Sequence, residues 1–268
     1  MLDAVVARAP LFLLVAVRCF ALLMVLPLLS QNAVPRIAKV ALAGYMAYIV
    51  MPQVDAAAVA PYIAPNGNSS LLYVLLLAGE VLIGIIVGFY VNIIFSAFST
   101  AGQFFAFQMG FSASSVYDAL NQVENPLVGQ YLNFIALLVF MHGSWFQRLF
   151  LRGLMDSFSA LNVFTLVAER ERIVLFLVRG LTNLFFDALV IALPIMGTLV
   201  LVNVSMGILS RAAPAMNLLS EGFPTMILLS FFLLLLLLPN LIDFFSRAFT
   251  TGLDDIQRLF TAVRGGGQ

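Results

Sequence analysis

The apolar positions divide the chain into long apolar runs separated by short polar links. An α-helix needs roughly 20 apolar residues to cross a hydrocarbon core about 30 Å thick. This pattern predicts about six apolar segments, at residues 10–29, 40–59, 71–98, 127–141, 173–209 and 223–245. We therefore predict an all-α, polytopic membrane protein.

The run at residues 173–209 is too long for one simple crossing. A straight helix over this run would extend roughly 55 Å at 1.5 Å per residue. Because the run contains Pro194 and Gly197, it either bends there into a hairpin or extends well beyond the bilayer. After the last run, one face of a short helix is indicated by Ile256, Leu259, Phe260 and Val263.

Residues 144–161 have the pattern of an amphipathic helix. Large apolar side chains occupy one side, and polar residues recur every fourth position at Ser144, Arg148, Arg152 and Asp156. Such a helix lies at a membrane interface or packs on a partner. Residues 144–172 contain four arginines, so the positive-inside rule predicts that this region is cytoplasmic.

Composition excludes several classes of protein. The chain is 62% hydrophobic and 10% charged, whereas soluble domains are about 45–50% apolar and about 25% charged. Thirteen basic and thirteen acidic residues balance, so the chain lacks the excess of positive charge that nucleic-acid binding requires. One cysteine, one histidine and one lysine supply neither a zinc cluster nor a phosphate-binding loop. We predict that the chain is not an enzyme and has no catalytic residues, metal or cofactor.

Charged residues inside the apolar runs are candidates for function, and we single out Arg18, Glu80, Arg179 and Asp187. Each costs at least about 2.5–3.5 kcal/mol to place inside a membrane. One interpretation is a proton or ion relay. The favoured interpretation is that each pairs across a helix interface, or that these segments are not exposed to lipid at all, because four scattered charges define no pathway.

Two glycines one turn apart, Gly84 and Gly88, have the spacing that permits close approach of two helix backbones. This pattern favours helix packing, within the chain or with another subunit. The alternative interpretation is a substrate path along the glycine face.

Residues 101–118 are too apolar for an ordinary solvated loop and too polar for a lipid-facing span. Irregular backbone at membrane depth is tolerated only inside protein or beside a water-filled cavity. Bulky apolar side chains such as those of Met109 and Phe111 can close a pore by excluding water. The residues alone leave two interpretations open, a pore-lining segment and a plain surface loop.

The order of short motifs along residues 18–224 resembles the FliR family of type III export-gate membrane proteins. The matching motifs are Arg18 with Pro27 and Val34-Pro35-Arg36, Gly79-Glu80 with Gly84 and Gly88, Ala101-Gly102-Gln103, Gln108-Met109-Gly110, Asn125-Pro126, His142-Gly143, Ser210-Arg211-Ala212-Ala213-Pro214 with Asn217, and Gly222-Phe223-Pro224. Each motif is short, but their combination and spacing are specific.

This resemblance implies a single export-gate domain over residues 1–268, built of helical hairpins. A P-like part would cover residues 1–165, with a plug loop at about 106–125, and a Q-like hairpin with a C-terminal tail would cover 166–268. The implied partners are FliP-like and FliQ-like subunits, FlhB-like and FlhA-like components, and unfolded export substrates. The implied location is the flagellar basal body in the bacterial inner membrane, where the subunits form the entry pore and a separate ATPase and the proton-motive force supply the energy.

The resemblance also assigns roles to individual residues. It places the pore-closing plug at Met109, Gly110, Phe111, Ser112, Val116 and Tyr117. Fewer phenylalanines occur here than in the family pattern, and Val116 and Tyr117 would take over their packing role. Helix packing and buried charges are assigned to Glu80, Gly84, Gly88, Arg179, Asp187, Arg211 and Glu221.

Three alternatives compete with a flagellar export gate. The first is the equivalent subunit of a virulence injectisome. The second is a small-solute secondary transporter with Glu80 and Asp187 as coupling carboxylates. The third is a scaffold that nucleates the assembly without gating it.

Overall fold

The computed structural model describes residues 2–30, 34–54, 71–109, 127–212 and 222–265. Every regular element within these residues is helical, which confirms the prediction of an all-α protein. The helices are α1 (Leu2–Val25), α2 (Pro27–Ser30), α3 (Arg36–Val50), α4 (Leu71–Gln108), α5 (Leu127–His142), α6 (Trp145–Arg148), α7 (Asp156–Ala160), α8 (Val163–Ala168), α9 (Arg170–Ala212) and α10 (Phe223–Gly265). A 3-10 turn at Met51–Gln53 follows α3, and a π-helical segment at Leu149–Met155 joins α6 to α7.

The prediction of a polytopic membrane protein is confirmed, but the count of six apolar segments is not. Four of the described helices are long and apolar enough to span a membrane, or five if α5 and its bent continuation count as one span. Within the described part of the run at 40–59, which ends at residue 54, the main element is the 15-residue helix α3. It ends before Pro52, whose ring nitrogen has no hydrogen to donate.

The longest apolar run forms one continuous helix instead of a hairpin. Helix α9 passes through Pro194 over 43 residues, and the Thr198 hydroxyl donates a hydrogen bond of 2.8 Å to the Pro194 carbonyl. The whole helix is roughly 65 Å long at 1.5 Å per residue, about twice the hydrocarbon thickness. Of the two predicted alternatives, extension beyond the bilayer therefore describes α9, and a hairpin does not.

The chain folds into two compact units. Unit 1 comprises Met1–Ile93, Ser144–Gly180 and Thr250–Gln268, and unit 2 comprises Ile94–Gly143 and Leu181–Phe249. Helices α4, α9 and α10 each contribute residues to both units. The predicted division into P-like and Q-like parts at residue 165 is based on the family resemblance and not on contacts within the chain. It stays a prediction.

Phenylalanines form the core of unit 2. The ring of Phe98 lies 4.0 Å from that of Phe245, and the rings of Phe95, Phe140 and Phe249 lie 5.0–5.4 Å from one another, measured between centroids. Their tilted and edge-on arrangements are those that aromatic quadrupoles prefer. This cluster joins α4, α5 and α10 within unit 2.

Candidate functional site

Residues 101–108, predicted to belong to an irregular segment, instead continue α4 to Gln108, because the buried Phe105 packs this end of the helix into unit 2. The prediction that the plug loop begins at about 106 is therefore wrong, and Met109 is the first residue after the helix. Met109 lies directly after α4, its side chain is 1% exposed, and its N–H donates to the Phe105 carbonyl at 2.9 Å. Phe105, one turn earlier, is also fully buried. The geometry therefore makes Met109 an anchor at the base of the loop. The other predicted plug residues, Gly110, Phe111, Ser112, Val116 and Tyr117, lie outside the described residues.

Replacing Met109 by alanine is expected to lower the melting temperature of the detergent-solubilised protein by at least about 4 °C. Truncating a buried methionine costs about 2–5 kcal/mol, and each kcal/mol lowers the melting temperature of a chain this size by about 2–4 °C. Met109→Leu conserves volume and should cost less than about 1.5 kcal/mol. Met141, which is 54% exposed, provides the matched control Met141→Ala. Equal melting temperatures for Met109→Ala and Met141→Ala would contradict the anchor.

The charged residue most deeply buried in unit 1 is Arg18 on α1, which is 1% exposed. Its Nε donates a 2.5 Å hydrogen bond to Oε2 of Glu80 on α4, and this contact is also an ion pair. The side chain of Glu80 is 14% exposed. Glu80 is therefore paired across the interface between α1 and α4.

The rest of the Arg18 guanidinium contacts the segment that contains α7. Its Nη1 donates to the Ser157 hydroxyl at 3.1 Å, and its Nη2 donates to the Leu161 carbonyl at 2.9 Å. The guanidinium carbon lies 4.1 Å from the centroid of the Phe158 ring, as in a cation–π contact. One side chain thus joins three segments of unit 1, and no buried side-chain nitrogen or oxygen in the described ranges lacks a partner.

Gly84 and Gly88 lie against the backbone of α1 in unit 1. A Cβ atom added to Gly84 would lie 2.5 Å from the Arg18 carbonyl oxygen and 2.9 Å from the Ala21 Cβ. One added to Gly88 would lie 3.0 Å from the Leu22 carbonyl oxygen. The two helices approach so closely that only glycine fits at Gly84, next to the turn that presents Arg18.

The remaining predicted residues do not join this network. Arg179 and Arg211 are exposed and Asp187 is half-buried, whereas Glu221 lies outside the described residues. The chain itself therefore does not bury Arg179 or Arg211, because both lie on outward-facing positions of α9. Their burial by other subunits stays a prediction.

A second polar contact in unit 1 was not predicted. The Tyr90 hydroxyl on α4 donates to Oδ2 of Asp255 on α10 at 3.1 Å, and the Tyr90 ring stacks on Phe176 of α9 with centroids 4.2 Å apart. A Cβ on Gly180 would lie 2.8 Å from the Tyr90 ring. The sequence predicted only the apolar face at the end of α10. Its four side chains are 2–6% exposed in the structure: Ile256, Leu259, Phe260 and Val263.

Arginines fasten the end of α10 within unit 1. Arg172 at the start of α9 donates to the Ala262 carbonyl at 2.8 Å. Arg264 donates to the Asp156 carbonyl at 3.3 Å and to the Ser159 hydroxyl. The last turns of α10 therefore lie beside α7 and the first turn of α9. In the part of the chain that the structure describes, no group of three or more potential ligands could hold a metal ion.

Comparison with known sequences identifies the family. Residues 9–252 match the family described as bacterial export proteins, family 1. The chain belongs to this family. The matched range contains the Arg18–Glu80 pair, both glycines and Met109, and it ends before Asp255.

Individual members of the family are similar over much of their length. The chain is 28% identical over 207 residues to the flagellar biosynthetic protein FliR of Bacillus subtilis, covering 76% of this chain and 77% of that protein. It is 28% identical over 190 residues to FliR of Escherichia coli, covering 70% and 69%. It is 33% identical over 135 residues to FliR of Borreliella burgdorferi, covering half of each chain.

Proposed function

We propose that this chain is a core subunit of the flagellar type III export gate in the bacterial inner membrane. Together with FliP-like and FliQ-like subunits, it forms the entry pore through which unfolded flagellar proteins leave the cell. The family match over residues 9–252 carries this proposal. The relatives described above are named as flagellar proteins, which favours a flagellum over an injectisome.

Helix length and exposure support assembly with other subunits. Helices α4, α9 and α10 are 38, 43 and 43 residues long, each roughly 57–65 Å at 1.5 Å per residue and far longer than the bilayer core. Large apolar side chains are exposed along them, including Phe186, Leu201 and Leu235 at 64–69%. Apolar surface that lipid cannot cover requires protein partners, and FliP-like, FliQ-like, FlhB-like and FlhA-like components are the proposed ones.

Within this gate, the proposed plug is the part of the predicted segment at about 106–125 that follows the end of α4 at Gln108. Burial of Met109 supports a fixed base for the loop, and the side chains from Phe111 to Tyr117 would narrow the closed pore by excluding water. Glu80 is already paired with Arg18, which leaves the transporter alternative without a free coupling carboxylate at that position. A gate of this kind performs no chemistry on its substrate.

The first experiment tests the assembly. The tagged chain, solubilised from its own membranes in mild detergent, should co-purify with two other small hydrophobic proteins, and native mass spectrometry identifies them. A discrete hetero-oligomer supports the export gate. A lone chain or a simple homo-oligomer contradicts it and favours the transporter.

A second experiment tests the plug. Removing residues 111–117, or replacing Phe111 by alanine, should make cells leak ions, measured as loss of membrane potential at equal amounts of assembled complex. Phe134 on α5 is 58% exposed, so Phe134→Ala is a matched control that removes an exposed phenylalanine outside the proposed plug. If the membrane potential stays intact when the loop is removed from an assembled complex, the plug is contradicted and the scaffold alternative is favoured.

A further inference from the structure

One surface of unit 1 combines exposed arginines with exposed apolar side chains. Arg148 and Arg152 are both exposed and lie four residues apart on the segment from α6 into the π-helix Leu149–Met155. Leu151 beside them is 55% exposed. The opposite side of the segment is buried through Leu149 and Leu154, each 1% exposed. The segment therefore has a fixed inner face and an unpartnered outer face.

The two arginines differ from the other cations nearby. Among the described residues, neither Arg148 nor Arg152 has a carboxylate within ion-pair distance. By contrast, Arg172 pairs with Glu169 and Arg258 with Asp255. The guanidinium of Arg148 lies 4.5 Å from the centroid of the Trp145 ring, and Trp145 is itself 6% exposed. The aromatic ring thus supports one cation and leaves its outward N–H groups available.

The position of this segment in the chain points to the membrane surface. It lies between the apolar helices α5 and α9, and α9 is a candidate membrane span. Two exposed arginines within the hydrocarbon would be strongly disfavoured, whereas at the interface their stems cover apolar surface and their charged ends reach the headgroups. Tryptophan beside arginine is typical of that interface. π-Helical turns are rare and occur frequently at functional sites.

We propose that the Arg148–Arg152 face binds the headgroup of an anionic phospholipid. The two guanidinium groups, one turn apart, would share the phosphate oxygens, and Leu151 would insert among the upper acyl carbons. Charge complementarity and the adjoining apolar side chain favour a lipid over an acidic protein surface. The proposal does not rest on the export-gate function, because it concerns the isolated chain in any membrane that contains anionic lipid.

The test compares two lipids that share their acyl chains. The full chain in mild detergent is titrated with dioleoyl phosphatidylglycerol or dioleoyl phosphatidylcholine, and bound lipid is counted by native mass spectrometry. Phosphatidylglycerol should bind more tightly, and Arg148→Gln with Arg152→Gln should weaken its binding about 30-fold, from the attraction of two basic side chains to an anionic surface. Binding of phosphatidylcholine should change little.

Matched variants separate charge from folding. Arg172→Gln with Arg258→Gln removes two exposed charges of unit 1 that pair with carboxylates, and it should leave phosphatidylglycerol binding unchanged. If the double variant of Arg148 and Arg152 does not fold, Arg152→Gln alone, which spares the Trp145 contact, should still lose about fivefold. Equal affinity for the two lipids overturns the proposal. So does loss of a partner subunit at unchanged lipid affinity, which would assign the face to a protein.

Discussion

Replacing Arg18 by alanine is expected to destabilise the protein by about 3–5 kcal/mol, because it leaves the Glu80 carboxylate buried without its partner. The change also removes the donors to the Ser157 hydroxyl and the Leu161 carbonyl. At about 2–4 °C per kcal/mol, the melting temperature in mild detergent should fall by roughly 10 °C. Because Arg18 joins three segments of unit 1, assembly into a complex should fall in parallel.

A double-mutant cycle separates the ion pair from its environment. Glu80→Gln keeps a hydrogen-bond acceptor for Arg18 and should cost less than Arg18→Ala. Replacing both residues by apolar ones, as in Arg18→Met with Glu80→Leu, should recover much of the loss, since a buried pair contributes little net stability over packed apolar groups. Together with the single variants Arg18→Met and Glu80→Leu, this double variant completes a cycle that isolates the coupling between the two residues.

The exposed pair of the same unit is the control. The side chains of Arg258 and Asp255 are 80% and 25% exposed, and surface pairs of this kind contribute about 0–1 kcal/mol. Arg258→Ala should therefore shift the melting temperature by no more than about 4 °C. If Arg18→Ala and Arg258→Ala were equally mild, the Arg18–Glu80 pair would not hold unit 1 together.

The sequence indicated part of this network. Arg18 and Glu80 stand out because each interrupts an apolar run, and the spacing of Gly84 and Gly88 indicates close packing. The groups that complete the site were not predictable, since Ser157 lies 139 residues from Arg18 and one acceptor is the backbone carbonyl of Leu161. Every residue has a backbone carbonyl, so the sequence does not show which carbonyl will accept a hydrogen bond from a distant side chain.

Helix α9 shows where local rules fail. Proline inside a helix removes one hydrogen bond and costs about 3 kcal/mol, so Pro194 suggested a bend. In an apolar environment a break would expose several backbone N–H and C=O groups to surroundings that cannot bind them. Continuing the helix through Pro194 therefore costs less free energy than breaking it. The same reasoning accounts for α10, which continues through Pro239.

Replacing Gly84 by alanine is the second large expected effect. The new methyl group would lie 2.5 Å from the Arg18 carbonyl oxygen and 3.2 Å from the Leu22 nitrogen, both of which are backbone atoms. Backbone cannot rotate away as a side chain can, so α1 must shift relative to α4. Overpacking of this kind costs about 1–3 kcal/mol, and movement of α1 also strains the contact between Arg18 and Glu80. We expect a total loss of about 3 kcal/mol or more.

Two other glycines provide controls with the opposite sign. Gly197 and Gly207 lie in α9, and a Cβ added to either has no atom within 4 Å. Alanine there should be neutral or stabilise the helix by up to about 1 kcal/mol, since it lowers the backbone entropy lost on folding. Melting temperatures of Gly84→Ala, Gly197→Ala and Gly207→Ala in the same detergent give the comparison.

The combination of Gly84→Ala with Arg18→Ala decides whether the two features act as one interface. If the methyl group acts by displacing the turn that carries Arg18, the second change should add much less than its own cost, because the ion pair is already weakened. Simple addition of the two losses would show that Gly84 and the ion pair stabilise unit 1 independently. A mild effect of Gly84→Ala alone, equal to that of Gly197→Ala, would contradict the close approach of α1 and α4.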